Sequence, residues 1–222
     1  MKLVIFDVDG TLVDSQAHIL GAMGRAFAGE ELACPSRGAI LSIVGLSLPQ
    51  AMARLVPGGE AAQLDRLVDG YRNSFAGLRS ELEDASPLYP YALETLTALR
   101  ARDDVLLGLA TGKSRRGVRH LLDGHDLHGA FVTIQTADTH PSKPHPSMLH
   151  EAMSDADVAL ADAVMIGDTT FDMDMARNAG MTAIGVDWGY HPASDLVASG
   201  AAAVLGDYRE LIPHLQETGL LT

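Results

Sequence analysis

Cysteine is almost missing from this 222-residue chain: Cys34 stands alone. That excludes an internal disulfide and a cysteine-built zinc site, and it fits a reducing cytoplasm. Positive charge is scarce, with 16 Lys and Arg against 29 Asp and Glu for a formal charge of -13. A field of that sign repels phosphate backbones and anionic lipid headgroups, so neither nucleic acid nor a membrane surface is expected as a partner. Long apolar runs are missing too. The stretch after Lys2 stops at Asp7, too short for the apolar region of a signal peptide, and no run reaches the roughly 18 apolar residues of a membrane span. The expectation is a soluble cytoplasmic protein, monomeric or homodimeric, with no internal repeat and no low-complexity tract. What is present suits a folded chain, since 47% of residues are hydrophobic and 20% charged, enough apolar side chains for a sizeable core. The length exceeds one ordinary domain of ~100–150 residues and falls short of two, which points to one domain carrying an insertion.

Short apolar runs alternate with helical patterns. Leu3 to Val8, Val105 to Ala110, Phe131 to Ile134, Ala163 to Ile166, Thr182 to Val186 and Ala202 to Leu205 have the length and continuity of strands in a sheet covered on both faces. Amphipathic stretches such as Leu93, Leu96 and Leu99, then Val118, Leu121 and Leu122, lie between them. Strand and helix in turn predict an α/β fold with a doubly wound parallel sheet. One interval breaks the rhythm: Thr11 to Thr111 spans 100 positions, where a βαβ unit takes about 30 or somewhat more. From Ser15 to Ala85 the pattern is helical, with Ile19, Met23, Ala26 and Phe27 on one stripe and Leu64, Leu67, Val68, Tyr71 and Phe75 on another. Residues 15–85 therefore read as a small inserted helical cap, and residues 1–14 with 86–222 as the sheet domain. The insertion carries six Arg against eight Asp and Glu, so most of the negative charge falls on the sheet domain. An anionic substrate handled there needs a local cation, and a bound divalent metal is one candidate.

Four segments sit at strand ends, where open parallel sheets place their ligands. The first is Asp7-Val8-Asp9-Gly10-Thr11. Side chains two apart on an extended segment share a face, so Asp7 and Asp9 should project into one crevice and need a cation or a shared proton, and Mg²⁺ is suited to the first; the alternative is an Asp-Gly hairpin turn. The second is Thr111-Gly112-Lys113, a hydroxyl and free N–H groups before a helix, able to cradle phosphate or simply to cap. Lys113 itself reads as a ligand of phosphate or as a solvated side chain. The third is Lys143, set among Pro141, Pro144 and Pro146 as a single point charge on a stiffened backbone, with His145 beside it as a helix-start residue. The fourth is Gly167-Asp168-Thr169-Thr170-Phe171-Asp172, in which Asp168 reaches a metal and Asp172 supports it one turn later, or in which Asp or Thr caps a helix.

In this order the four motifs resemble those of the haloacid dehalogenase superfamily of phosphohydrolases, with the helical cap after the first motif that marks its first cap subclass. Val186-Asp187-Trp188-Gly189-Tyr190 is similar to a stretch of the phosphoglycolate-phosphatase-like branch, while Thr111-Gly112-Lys113 departs from the Thr-Asn-Lys common there. The resemblance implies a Rossmann-like core and a Mg²⁺-dependent phosphatase acting on a small phosphorylated metabolite such as phosphoglycolate. It makes Asp7 the nucleophile that forms an aspartyl-phosphate, and Asp9 the acid and then the base. Thr111, Gly112 and Lys143 bind phosphate, with Lys143 also orienting Asp7. The metal falls to Asp7, the Asp9 carbonyl and Asp168, with Asp172 in support. Because dehalogenases lack the second acid, Asp9 argues against dehalogenation. The loop around Val44-Gly45-Leu46, or Arg37 and Arg54, would read the leaving group, unless the arginines are only solvated. The competing readings are a phosphomutase of the β-phosphoglucomutase type and a phospho-acceptor signalling module, whose usual length leaves no room for the cap.

Overall fold

Alternate residues of the first strand serve opposite faces. Leu3 and Ile5 enter one apolar cluster and Val4 and Phe6 another, all four fully buried, which is why the run reads as continuously apolar. In the computed structural model, which describes residues 1–82 and 86–221, this strand, β1 (Lys2–Phe6), lies at the middle of a six-stranded parallel sheet. The others are β2 (Val105–Thr111), β3 (Thr133–Thr136), β4 (Ala163–Gly167), β5 (Thr182–Val186) and β6 (Ala203–Leu205), in the order β3-β2-β1-β4-β5-β6. The chain builds outward from β1 to one edge, then restarts at β4 on the other side. The crevice at the carboxyl ends of β1 and β4 is thus the topological switch point. Helices α1 (Gln16–Gly29), α2 (Arg37–Leu41), α3 (Leu48–Leu55) and α4 (Ala61–Leu82) follow β1. On the sheet, α5 (Ala92–Arg100), α6 (Arg115–Gly124) and α10 (Leu211–Glu217) cover one face through Leu96, Val118 and Leu211. The opposite face is covered by α7 (Ser147–Ala156), α8 (Thr170–Ala179) and α9 (Ala193–Ala198) through Met148, Met173 and Leu196.

Helices α1 to α4 bury a cluster of their own around Met23, Phe27, Met52 and Leu67, which touches the sheet side through Phe171. The two ends of this insertion are tied together: Val13 bridges Leu88 in antiparallel fashion, Asp14 N–H donates to the Pro87 carbonyl and Tyr89 N–H to that of Leu12. Between these ties the described residues carry helices α1 to α4 and no strand, and the expected limit at residue 85 lies outside the described residues. Among those residues no helix is long and apolar enough to cross a membrane.

Two local expectations change. Asp9-Gly10 forms no hairpin; Gly10 adopts φ +87°, and the N–H groups of Leu12 and Val13 turn back to the Val8 carbonyl, folding the loop over the end of β1. The third strand begins at Thr133 rather than Phe131. Phe131 packs into the core, Val132 is exposed, and the paired residues Thr133 and Gln135 are held by the Asp155 carboxylate, so a polar segment does the pairing at this edge.

Candidate active site

β1 and β4 deliver Asp7 and Asp168 to the same crevice, because the Asp7 N–H donates to the Ile166 carbonyl at the end of β4. Asp7, Asp168 and Asp172 are almost wholly buried, each with an oxygen within 4.8 Å of the others'. Lys143, fully buried, is the cation among them: its Nζ lies 2.6 Å from Asp172 Oδ1 and 3.0 Å from Asp7 Oδ1. The contact to Asp7 is an ion pair without hydrogen-bond alignment, which leaves both Asp7 oxygens buried with no donor. Burial pushes the Asp7 carboxyl up to about 6 despite the opposing pull of Lys143, with Asp172 adding to the rise. Burial, then Asp172 and Asp7, raise Asp168 well above the usual carboxylate range. Burial works against the Lys143 ammonium, but Asp172 and Asp7 outweigh it and hold its pKa above the ordinary lysine value.

Asp168 is fixed from both sides. Thr11 Oγ1 donates to its Oδ1 (2.8 Å) and the Tyr190 N–H to its Oδ2 (2.9 Å). A Cβ on either Gly10 or Gly189 would overlap its side chain, so only glycines permit the two loops to close on it. Asp172 is otherwise occupied: one oxygen accepts from Lys143, and the other accepts from Thr169 N–H and Oγ1 in a capping box that starts α8. The capping alternative holds for Thr169 and Asp172, and the same cap engages Lys143. Three buried carboxylates against one ammonium, with two bare oxygens on Asp7, make an oxygen-only donor set that suits a hard divalent cation.

The second acid stands apart. Asp9 is not in the buried trio; its carboxylate receives Lys113 Nζ at 2.6 and 2.8 Å and Ser15 Oγ at 2.6 Å. This corrects the expectation that Asp7 and Asp9 share one cation through their two-residue spacing, because β1 ends at Phe6 and the chain turns before Asp9. Both still face one cavity, of about 580 Å³. Lys113 is likewise no solvated side chain: it is 12% exposed and lies 5.0 Å above the Phe75 ring of α4. Thr111, buried at the end of β2, accepts the Lys113 N–H through Oγ1 (3.2 Å). At Gly112 a Cβ would come within 2.6 Å of the Leu46 carbonyl, so the 43–47 loop packs directly on this backbone. A second link beside it runs from the Ser47 N–H to Ser142 Oγ (2.8 Å), next to Lys143.

Of the residues singled out in the sequence, Asp7, Asp168, Asp172 and Lys143 meet in one buried cluster, while Asp9, Thr111, Gly112 and the loop around Val44-Gly45-Leu46 line the cavity above. Arg37 donates to Gln16 and Arg54 stacks on Phe171 at 5.0 Å; both are exposed, and neither lines the cavity. His145 precedes α7, its Nδ1 accepting from the Ser147 N–H. Thr11, Ser15, Tyr190 and Phe75 were not read as site residues. The Trp188-Gly189-Tyr190 stretch carried the available signal, since Trp188 Nε1 donates to the Thr11 carbonyl and Tyr190 Oη meets Ser15 Oγ at 3.2 Å.

A family model for haloacid dehalogenase-like hydrolases matches residues 4–186. A probable phosphatase, IndB, of Dickeya dadantii is 34% identical over 214 residues, covering 95% of this chain and 91% of the relative. A phosphoglycolate phosphatase of Pseudomonas syringae pv. tomato is 32% identical over 221 residues, covering 96% and 79%. Among solved structures, a hydrolase from Pseudomonas syringae superposes with a TM-score of 0.86 at 25% identity, covering 98% of this chain and 99% of the other.

Proposed function

The chain belongs to the haloacid dehalogenase-like hydrolase family and is a phosphatase of it; from that premise we propose that it hydrolyses a small phosphomonoester through an aspartyl-phosphate on Asp7, with Mg²⁺ as its metal. We also assign residues 15–85 as a cap over a core of 1–14 and 86–222, and the exposed lone thiol of Cys34 supports a cytoplasmic setting.

The observation that carries the reading is Asp7: buried, with both oxygens lacking a hydrogen-bond donor, on the floor of the cavity and 3.0 Å from Lys143. Such a carboxylate is poorly solvated and free to attack. An Asp7 oxygen bonds to phosphorus as the ester P–O bond breaks, and Asp9 gives its proton to the departing alkoxide. Asp9, held by Lys113 and Ser15, then takes a proton from water as that water attacks phosphorus. Inorganic phosphate leaves and the Asp7 carboxylate is regenerated. Thr111 Oγ1 and the backbone at Gly112 bind the phosphoryl oxygens, and Lys143 neutralises the nucleophile and orients it. Mg²⁺, held by Asp7, Asp168 and the Asp9 carbonyl, supplies further neutralisation of the transferring group. Asp172 serves by positioning Lys143, since both of its oxygens are already engaged.

Turnover of p-nitrophenyl phosphate by purified Asp7→Asn tests this. The variant should be inactive with an unchanged circular dichroism spectrum, and EDTA should silence the wild type until Mg²⁺ is restored. Retained activity in Asp7→Asn would remove Asp7 from the role, and activity insensitive to EDTA would remove the metal.

A further inference from the structure

Above its floor the cavity over Asp7 is lined mainly by apolar side chains, with the polar exceptions Ser47, Arg72, Ser114, Arg116, Asp138 and His140, the last bonded to Ser147 and Gln135. Its volume, about 580 Å³, lies in the range of pockets that enclose drug-sized ligands, and a phosphorylated two-carbon acid leaves most of it unfilled. The walls rising from the floor are Ile19 and Met23 of α1, Ile43 and Leu46 of the 43–47 loop, and Tyr71 and Phe75 of α4. Tyr71 and Phe75 pack ring against ring at 5.8 Å one helical turn apart, presenting a continuous aromatic surface.

A carboxylate on the leaving group, as in glycolate, would sit one carbon beyond the ester, just above the floor, and needs a cation there. The near candidate is Lys113, whose ammonium is engaged by both Asp9 oxygens at 2.6 and 2.8 Å. Arg72 and Arg116 also line the cavity but stand at exposed positions, Arg72 beside Asp69 at 3.4 Å. Asp138, whose carboxylate accepts from the Arg115 N–H, adds negative charge to the lining. Among the insertion's other described arginines, Arg25, Arg37, Arg54 and Arg66 do not line the cavity; Arg37 is held by Gln16, Arg54 lies over Phe171 and Arg66 forks onto Glu30. A leaving-group carboxylate would therefore be desolvated beside Asp9 among apolar side chains, an arrangement that disfavours binding. An apolar body in the same place gains by burial.

Resting on the phosphatase reading above, we propose that the substrate is the phosphate ester of an uncharged, mainly apolar alcohol or phenol well beyond two carbons in size, and that phosphoglycolate is a poor substrate. The Tyr71 hydroxyl, with no hydrogen-bond partner among the described residues, admits one uncharged polar group on that body.

The test compares kcat/KM of the full chain with Mg²⁺ for n-hexyl phosphate, benzyl phosphate and phosphoglycolate, with acetyl phosphate reporting the chemistry of the floor alone. Hexyl and benzyl phosphate should exceed phosphoglycolate by at least tenfold. Leu48→Arg, at a partly buried position of the same wall, should raise the phosphoglycolate-to-hexyl ratio by at least tenfold. A smaller preference in the wild type, with acetyl phosphate hydrolysed, overturns the substrate assignment and leaves the phosphatase reading standing. An unchanged ratio in folded Leu48→Arg overturns it as well, and the wild-type comparison decides alone should that variant not fold. Failure to hydrolyse any of the four phosphate compounds overturns the phosphatase reading and this one with it.

Discussion

Lys113 and Lys143 neutralise different carboxylates, and their losses should be felt differently. Lys143 is fully buried between Asp7 and Asp172, so Lys143→Ala strands two negative charges in the interior. Breaking a buried pair of this kind costs ~3–5 kcal/mol, and urea denaturation of the metal-free protein should show a loss of that size together with loss of activity. Lys113, on the cavity side, touches Asp9 and Phe75. Lys113→Ala should fold almost as stably, within about 1 kcal/mol, and lower kcat by about 10- to 100-fold, less than the upper end of the ~10²–10⁴ range for a lost general acid. Equal stability losses in the two variants would contradict the division. The sequence offered no warning of the Lys113 contact, because Asp9 lies 104 positions away and the pairing arises only when β1 and β2 become neighbours. Asp7, Asp168 and Lys143 were legible because each sits in a short, punctuated segment directly after an apolar run or between prolines. Thr11 was not, since its hydroxyl finds Asp168 only across the switch point, 157 positions on.

The insertion meets the sheet through backbone as much as through side chains. Gly112, at the end of β2, abuts the carbonyls of Gly45 and Leu46, so Gly112→Ala must displace the 43–47 loop that roofs the cavity. Overpacking of this sort costs ~1–3 kcal/mol. Gly112→Ala should therefore melt at lower temperature and lose at least tenfold in kcat/KM on p-nitrophenyl phosphate. Gly24→Ala, inside α1 with open space around it, is the control; it should match or exceed the wild type by up to ~1 kcal/mol. Matching behaviour of the two variants would show that the loop contact is unimportant. The strands and the inserted helices were readable because a doubly covered sheet writes continuous apolar runs and an amphipathic helix writes a stripe. The packing of the 43–47 loop on Gly112 was not readable, because its contacts are carbonyl oxygens that any residue carries. β3 shifted by two residues for a related reason: its Thr and Gln look like loop, and the Asp155 carboxylate that satisfies them comes from α7.

Three buried carboxylates around one ammonium place the whole fold under an electrostatic load that varies with pH. Asp7 titrates at about 6 in the folded chain, against an ordinary value of 3.8. Between those values the native state therefore binds more protons than the unfolded one, and stability falls as pH rises through the interval. The direction is opposite to that of a salt-bridged surface carboxylate, because burial outweighs the pull of Lys143. A rise of about two units sets a ceiling of roughly 3 kcal/mol. Since other groups titrate in the same window, the informative quantity is the difference between wild type and Asp7→Asn, both in EDTA. At pH 4 the two should be close. As pH increases the wild type should fall progressively behind, until above about pH 6 the variant is the more stable by ~1–3 kcal/mol. Mg²⁺ should then reverse the order at neutral pH, because a ligand that binds only the native state at a hundred times its Kd adds ~2.7 kcal/mol, and Asp7→Asn lacks one charged donor. Parallel stability curves in EDTA would mean that the Asp7 charge is not what strains the metal-free fold, and an equal gain from Mg²⁺ in both proteins would mean that the ion binds elsewhere.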